Sequence, residues 1–160
     1  MKKLVTLFFL FITQLVTAQL KPMQEVLKNY IGLKNELVAG NAANSKKSAI
    51  DLKTALEAIQ SKSVDEETWK AVSPIKEKLL SSLQLFLKEQ SIAQQREAFA
   101  ALSDQMIRLA KTTSLSEAEL YVDYCPMKKA SWLSIEKPIK NPYYGNMMLT
   151  CGSIKETIKQ

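Results

Sequence analysis

Sulfur-bearing side chains are concentrated near the C-terminus of this 160-residue chain. Its two cysteines, Cys125 and Cys151, bracket a segment that also contains Met127, Met147 and Met148. Thiolate and thioether sulfurs are the ligands that a soft cation such as Cu(I) selects. These five residues are therefore the candidate ligands of a Cu(I) site.

A structural disulfide is the alternative interpretation of the same cysteines. Two cysteines in an exported protein can oxidise, and a Cys125–Cys151 bond would close a loop of roughly 26 residues. On the chain-entropy model such a bond stabilises the native state by about 3 kcal/mol. The methionines have an alternative too, because methionine often fills gaps in hydrophobic cores. The residues alone leave both alternatives open.

The absence of histidine excludes several classes of enzymatic site. Ser-His-Asp and Cys-His catalysis require imidazole, as do most catalytic zinc sites. The chain also has no phosphate-binding glycine loop and no Cys-x-x-Cys pair. A thiol oxidoreductase is disfavoured, since neither cysteine has the neighbour that normally lowers the pKa of a reactive thiol. We therefore expect a non-enzymatic protein.

The N-terminus has the pattern of a secretory signal peptide over residues 1–18. Lys2 and Lys3 precede an apolar run at residues 4–12, and small residues lead to Ala18. The run is shorter than the about 20 residues that span a bilayer. We expect removal of this segment, no stable membrane insertion afterwards, and a periplasmic or secreted protein.

The charge pattern of the mature chain, residues 19–160, does not favour nucleic acid. Loss of Lys2 and Lys3 lowers the formal net charge from +6 to +4. Basic and acidic residues are interspersed, as on solvated helix faces, without a basic block that interleaves with aromatic residues. We expect no nucleic-acid partner, and a single domain of ordinary size.

Residues 22–112 predict four amphipathic helices. The first covers residues 22–39 and ends at Gly40, and the second begins near Asn44 or Ser45. The third begins either at an Asp65 cap or at Ser73-Pro74, and a kink at Pro74 would reconcile the two. The fourth opens with the capping box Ser91-Ile92-Ala93-Gln94. Short connections favour antiparallel neighbours, so the predicted fold is all-α, an up-and-down four-helix bundle.

Residues 113–160 predict a Cys/Met-rich tail packed on that bundle. Residues 119–125 alternate as a short strand does, residues 141–145 have the composition of a turn, and residues 147–151 predict a returning strand. The resulting short β-hairpin would bring the cysteines together. Trp132, Tyr143 and Tyr144 are expected to attach the tail to the helices, with an aromatic face over a bound cation as the alternative.

The tail motifs also carry a family resemblance. The motifs are Tyr124-Cys125-Pro126-Met127, Trp132-Leu133-Ser134, Lys140-Asn141-Pro142-Tyr143-Tyr144-Gly145 and Met148-Leu149-Thr150-Cys151-Gly152. Together they resemble an uncharacterised helical domain family of Gram-negative bacteria. That family occurs as short exported proteins and as a C-terminal extension of periplasmic adaptor subunits in copper- and silver-type efflux systems.

The resemblance implies a periplasmic protein that handles copper or another soft metal. Cys125, Met127, Met148 and Cys151 match the family motifs, and Met147 is an alternate ligand. Lys128 stands where a separate heavy-metal motif normally has histidine. Our leading hypothesis is a protein that binds or delivers Cu(I) or Ag(I). The alternative is an interaction module, locked by a Cys125–Cys151 disulfide, that docks onto an efflux adaptor or another envelope protein.

Overall fold

The computed structural model describes residues 2–159, with side chains described for residues 21–159 apart from Ser63. The predicted signal peptide lies outside the described side chains and stays a prediction. Within the described residues, no helix is both long enough and apolar enough to cross a membrane. The helices are α1 (Lys2–Ala39), α2 (Ala42–Ala58), α3 (Glu66–Lys88) and α4 (Ile92–Thr112), and the strands are β1 (Leu120–Cys125), β2 (Ala130–Ser134) and β3 (Ser153–Ile158).

Local signals set the ends of the first two helices. Gly40 follows α1 with φ of 76°, a conformation that glycine adopts without steric cost. Helix α2 begins earlier than predicted, because the side chain of Asn41 accepts a hydrogen bond from the Asn44 amide at 3.0 Å. The predicted start at Asn44 or Ser45 overlooked this cap.

Helix α3 is a single element that contains Pro74. Its cap is Asp65, whose carboxylate accepts from the Thr68 amide at 2.9 Å and from the Thr68 hydroxyl at 2.6 Å. The start predicted at Asp65 is confirmed, and the alternative start at Ser73 is wrong. The capping box that opens α4 is also confirmed, with Ser91 and Gln94 each bonding the other's backbone amide.

The C-terminal segment forms a three-stranded antiparallel sheet in the order β2-β1-β3. Four helices therefore dominate as predicted, but the fold is not purely α-helical. The strand predicted at residues 147–151 is wrong, because this segment forms the 3-10 helix Gly145–Met147 and turns. The third strand lies just beyond it. In β3 only Ile158 is buried, so its sequence lacks the apolar alternation that marks a strand.

One hydrophobic core joins the helices to the sheet. The rings of Tyr30 on α1 and Phe99 on α4 stack with centroids 5.5 Å apart. Tyr143 continues the row at 5.9 Å from Phe99, and Trp132 of β2 meets the Tyr143 ring edge-on at 5.9 Å. The C-terminal segment is thus an integral part of the core.

Candidate functional site

The structure brings the two cysteine thiols together. Cys125 ends β1 and is fully buried, whereas Cys151 is half-buried just before β3. Tyr124 pairs with Ser153, so the end of β1 and the start of β3, which adjoin the two cysteines, lie side by side. Both thiols are free. Burial, and then a hydrogen bond and charge interaction with Cys125, raise the pKa of the Cys151 thiol.

The turn between β1 and β2 holds Cys125 in place. The backbone amide of Lys128 donates a hydrogen bond to the Cys125 sulfur at 3.4 Å. Lys129 completes the turn with φ of 55°, and the Lys128 ammonium forms an ion pair with Glu97 on α4. This turn therefore gives the Cys125 sulfur a fixed hydrogen-bond donor.

The three candidate methionines have different surroundings. Met127, in the turn after Cys125, is 64% exposed, and Met147, in the 3-10 helix before Cys151, is 75% exposed. Met148 is half-buried. The core-filling alternative is therefore wrong for Met127 and Met147, because neither thioether lies in the core. Among the described residues, no cluster of three or more His, Cys, Asp or Glu side chains has the arrangement of a metal site.

The predicted aromatic residues make packing contacts. Trp132 is fully buried and Tyr143 is 4% exposed. The Tyr143 hydroxyl donates to the Ser131 carbonyl at 2.6 Å, while Tyr144 is half-buried. Tyr143 also packs on Phe99 of α4, so this residue attaches the tail to the helices.

Asn141 organises the loop that carries Cys151, a role that the sequence analysis did not assign. Its side-chain amide donates to the Cys151 carbonyl at 2.7 Å, and its backbone amide donates to Leu149 at 2.8 Å. Its side-chain oxygen accepts from the Tyr143 amide at 2.8 Å. The Asn-Pro dipeptide signalled a turn, but only the folded loop shows that this turn orients the backbone at Cys151.

Two glycines of the tail motifs lie where no side chain fits. Gly145 has φ of 54°, and a Cβ there would overlap the Arg96 guanidinium and lie 2.6 Å from the Val38 carbonyl oxygen. At Gly152, a Cβ would lie 2.9 Å from the Tyr124 carbonyl oxygen and 3.0 Å from the Trp132 ring. These glycines permit the close approach of the Cys151 loop to the helices and to β1.

Two charged side chains are buried in the interior. Asp123 of β1 is fully buried and Lys34 of α1 is 1% exposed. Burial raises the pKa of Asp123 to about 7, against the opposing effects of the Lys34 ammonium and the Trp132 indole. Burial lowers the pKa of Lys34. No local sequence pattern distinguishes these residues from exposed charges, so the sequence analysis missed them.

The fold and this site define a mainly helical protein with a small antiparallel sheet that holds two neighbouring thiols. The family model described as protein of unknown function (DUF3347) matches residues 26–118, which is more than half of the 160 residues. The chain therefore belongs to this family. The match ends before β1, so the cysteines and the tail motifs lie beyond it. No curated protein and no solved structure matches the chain.

Proposed function

We propose that this protein is a non-enzymatic soft-metal protein of the periplasm that binds or delivers Cu(I) or Ag(I) through Cys125 and Cys151. One observation carries the proposal: thiols that are distant in sequence lie side by side in a chain without histidine. Two adjacent thiolates are a donor set that a soft cation prefers over harder metals. The tail resemblance supports a link to heavy-metal efflux or homeostasis.

The surroundings of the thiols fit such a role. Half-buried Cys151 gives an ion access, and buried Cys125 lies in surroundings that exclude water. The exposed thioethers of Met127 and Met147 are additional soft donors close in sequence to Cys125 and Cys151. Met148 is a further one. Because the pKa of Cys151 is raised, metal binding must release its proton. The apparent affinity of the protein for the metal ion should consequently increase with pH.

The helices serve as the scaffold in this proposal. An up-and-down arrangement of α1 to α4 would present one side of the bundle to the C-terminal segment, since Glu97 and Lys111 of α4 both form ion pairs with that segment. Export by the signal peptide would place the mature chain, residues 19–160, in the envelope. There it would meet its soft metal ion and, following the resemblance, an efflux adaptor.

Titration of the reduced mature protein with Cu(I) against a competing chelator tests the proposal. The Cys125→Ser, Cys151→Ser double variant should lose affinity by about 100-fold or more, since hydroxyls are poor ligands for a soft ion. A Met106→Leu variant is the matched control, because Met106 is buried in α4. Equal affinity in the double variant and the native protein would refute metal binding by the thiols.

The contact between the thiols also favours a second candidate, the interaction module with a Cys125–Cys151 disulfide. In this candidate, oxidation locks the Cys151 loop onto β1 and no metal is bound. Intact-mass measurement of protein isolated from the periplasm, with and without alkylation, distinguishes the two candidates. A fully oxidised pair favours the module, whereas free thiols in copper-grown cells favour the metal protein.

A further inference from the structure

A cleft between α3 and α4, with a volume of about 320 Å³, has a cationic lining. Lys78 of α3 lines it together with Arg108 and Lys111 of α4, and none of its described lining residues is Asp or Glu. Neither cysteine borders this cleft, so it is separate from the thiol site. A concave surface with several cations and no acid attracts an anion and repels a metal ion.

Helical spacing and helix packing bring these side chains together. Gln105, Arg108 and Thr112 line the cleft at intervals of three and four residues, which places them on one side of α4. Lys111 follows Arg108 by three residues on the same helix. Helices α3 and α4 pack against each other, so Lys78 meets this side of α4 at the cleft. The cations therefore converge through the fold, although they form no basic block in the sequence.

Two of the three cations have no carboxylate in ion-pair contact. Among the ion pairs between described residues, Lys111 pairs with Glu156 of β3 at 2.6 Å, whereas no pair includes Lys78 or Arg108. Asp104 interacts electrostatically with Arg108. Asp104 and Glu156 line a neighbouring cleft that shares Arg108 and Lys111. The cleft between α3 and α4 thus keeps a surplus of positive charge.

The same cleft contains a buried hydrogen-bond acceptor that lacks a donor. The side-chain oxygen of Gln105 is buried and forms no hydrogen bond with a described residue. Because an unpaired buried acceptor is destabilising, a ligand that donates a hydrogen bond to it would be favoured. A protonated phosphate group has both features, since its anionic oxygens accept hydrogen bonds from cations and its hydroxyl donates one. Sulfate has the same tetrahedral shape but no hydroxyl near neutral pH.

We propose that the cleft between α3 and α4 binds a phosphate group that carries a hydroxyl. Lys78, Arg108 and Lys111 contact its anionic oxygens, and the Gln105 side-chain oxygen accepts from its hydroxyl. The guanidinium of Arg108 suits this role, because its fork of N–H groups matches two phosphate oxygens. Free phosphate and a phosphate monoester headgroup of a lipid share this chemistry. The proposal is independent of metal binding, because it uses neither cysteine.

Calorimetric titration of the metal-free mature protein with inorganic phosphate tests the site, and sulfate is the matched anion. The titration is made at about pH 6, where a phosphate group retains a proton in much of the population. Phosphate should bind about tenfold or more tightly than sulfate, because only phosphate satisfies the Gln105 oxygen. Absence of phosphate binding, or equal affinity for the two anions, would overturn the proposal.

Substitutions in the cleft separate a specific site from general attraction by positive charge. Lys78→Gln and Arg108→Gln should each weaken phosphate binding about tenfold, because each removes a charge-assisted hydrogen bond. Lys47→Gln is the matched control, since Lys47 is an exposed helical lysine like Lys78 but does not line the cleft. It should leave the affinity for phosphate unchanged. An equal loss of affinity in Lys78→Gln and Lys47→Gln would refute a specific site.

Gln105→Met tests the acceptor, because methionine has a similar volume and lacks the amide oxygen. This variant should bind sulfate as the native protein does and should lose the preference for phosphate. A retained preference for phosphate would contradict the role of Gln105.

Vesicles of phosphatidylcholine, with and without phosphatidic acid, distinguish the two sources of the phosphate group. The phosphate of phosphatidylcholine is a diester without a hydroxyl, whereas phosphatidic acid presents a monoester. Co-sedimentation of the native protein, but not of Arg108→Gln, with the phosphatidic acid vesicles would support a lipid headgroup as the ligand. Binding of inorganic phosphate without co-sedimentation would support free phosphate. Failure of the protein to bind either probe would overturn the proposal.

Discussion

At the scale of single residues, steric and hydrogen-bonding constraints explain several residues of the tail motifs. Gly145 allows the chain to touch Arg96, whose guanidinium donates two hydrogen bonds, at 2.8 and 3.2 Å, to the Leu37 carbonyl near the end of α1. Asn141 then fixes the loop that leads to Cys151. Residues that carry no sulfur therefore shape the loop that holds the Cys151 thiol.

Gly145→Ala should lower the free energy of unfolding by about 2 kcal/mol or more. A Cβ at this position meets the Arg96 guanidinium and the Val38 carbonyl, and a left-handed backbone costs a non-glycine residue about 1–2 kcal/mol by itself. Urea denaturation monitored by circular dichroism measures the loss.

Gly32→Ala is the matched control for this substitution. Gly32 lies inside α1, and its Cβ would contact only the Ser48 hydroxyl at 4.0 Å. Because alanine favours a helix over glycine by about 1 kcal/mol, this variant should be at least as stable as the native protein. A Gly145→Ala variant of native stability would show that the loop does not approach Arg96 as described.

At the scale of elements, buried tyrosines connect the sheet to the helices. The Tyr30 hydroxyl on α1 accepts a hydrogen bond from the Leu133 amide of β2 at 3.0 Å and shares another with Ser103 of α4 at 2.5 Å. Tyr143 donates to the Ser131 carbonyl of the same strand. These contacts satisfy backbone groups of β2 that no neighbouring strand reaches. The strand therefore depends on side chains from other elements.

Tyr30→Phe should lower the free energy of unfolding by about 1–3 kcal/mol, because it leaves the buried Leu133 amide without an acceptor. Chemical denaturation measures the effect. Tyr144→Phe serves as the control, since the Tyr144 side chain is half-buried and its hydroxyl forms no hydrogen bond with a described residue. Equal stability of the Tyr30→Phe and Tyr144→Phe variants would argue against the connection between α1 and β2.

At the scale of the whole molecule, the helices and the C-terminal segment share one core. Phe99 of α4 packs between Tyr30 and Tyr143, and buried Leu120, Leu133 and Ile158 extend the core into the sheet. Removal of the sheet would expose apolar surface on α1 and α4. The four helices are accordingly incomplete without residues 113–160.

A fragment of residues 19–112 should therefore not unfold cooperatively, because it exposes Tyr30 and Phe99 to water. Thermal unfolding and near-ultraviolet circular dichroism, compared with residues 19–160, measure the difference. A control that lacks only residues 159 and 160 should unfold like the mature chain. A fragment as stable as the mature chain would show that the tail merely covers a self-sufficient bundle.

Local signals predicted the helices more accurately than the strands. Gly40, Asp65 and Ser91 mark helix ends through contacts with residues a few positions away, so they are readable in the sequence. Strand β3 is mostly exposed and forms through pairing with β1, which lies about 30 residues earlier. Its position could not be derived from its own residues.

The sequence by itself determined which sulfur-bearing side chains are present, because two thiols, several thioethers and no histidine are properties of composition. It also determined most helix ends, since capping depends on neighbouring residues. Only the tertiary structure decided that Cys125 is buried beside Cys151, that Met127 and Met147 are exposed, and that Lys34 and Asp123 share the interior. Burial and proximity arise from contacts between distant segments, which local patterns do not specify.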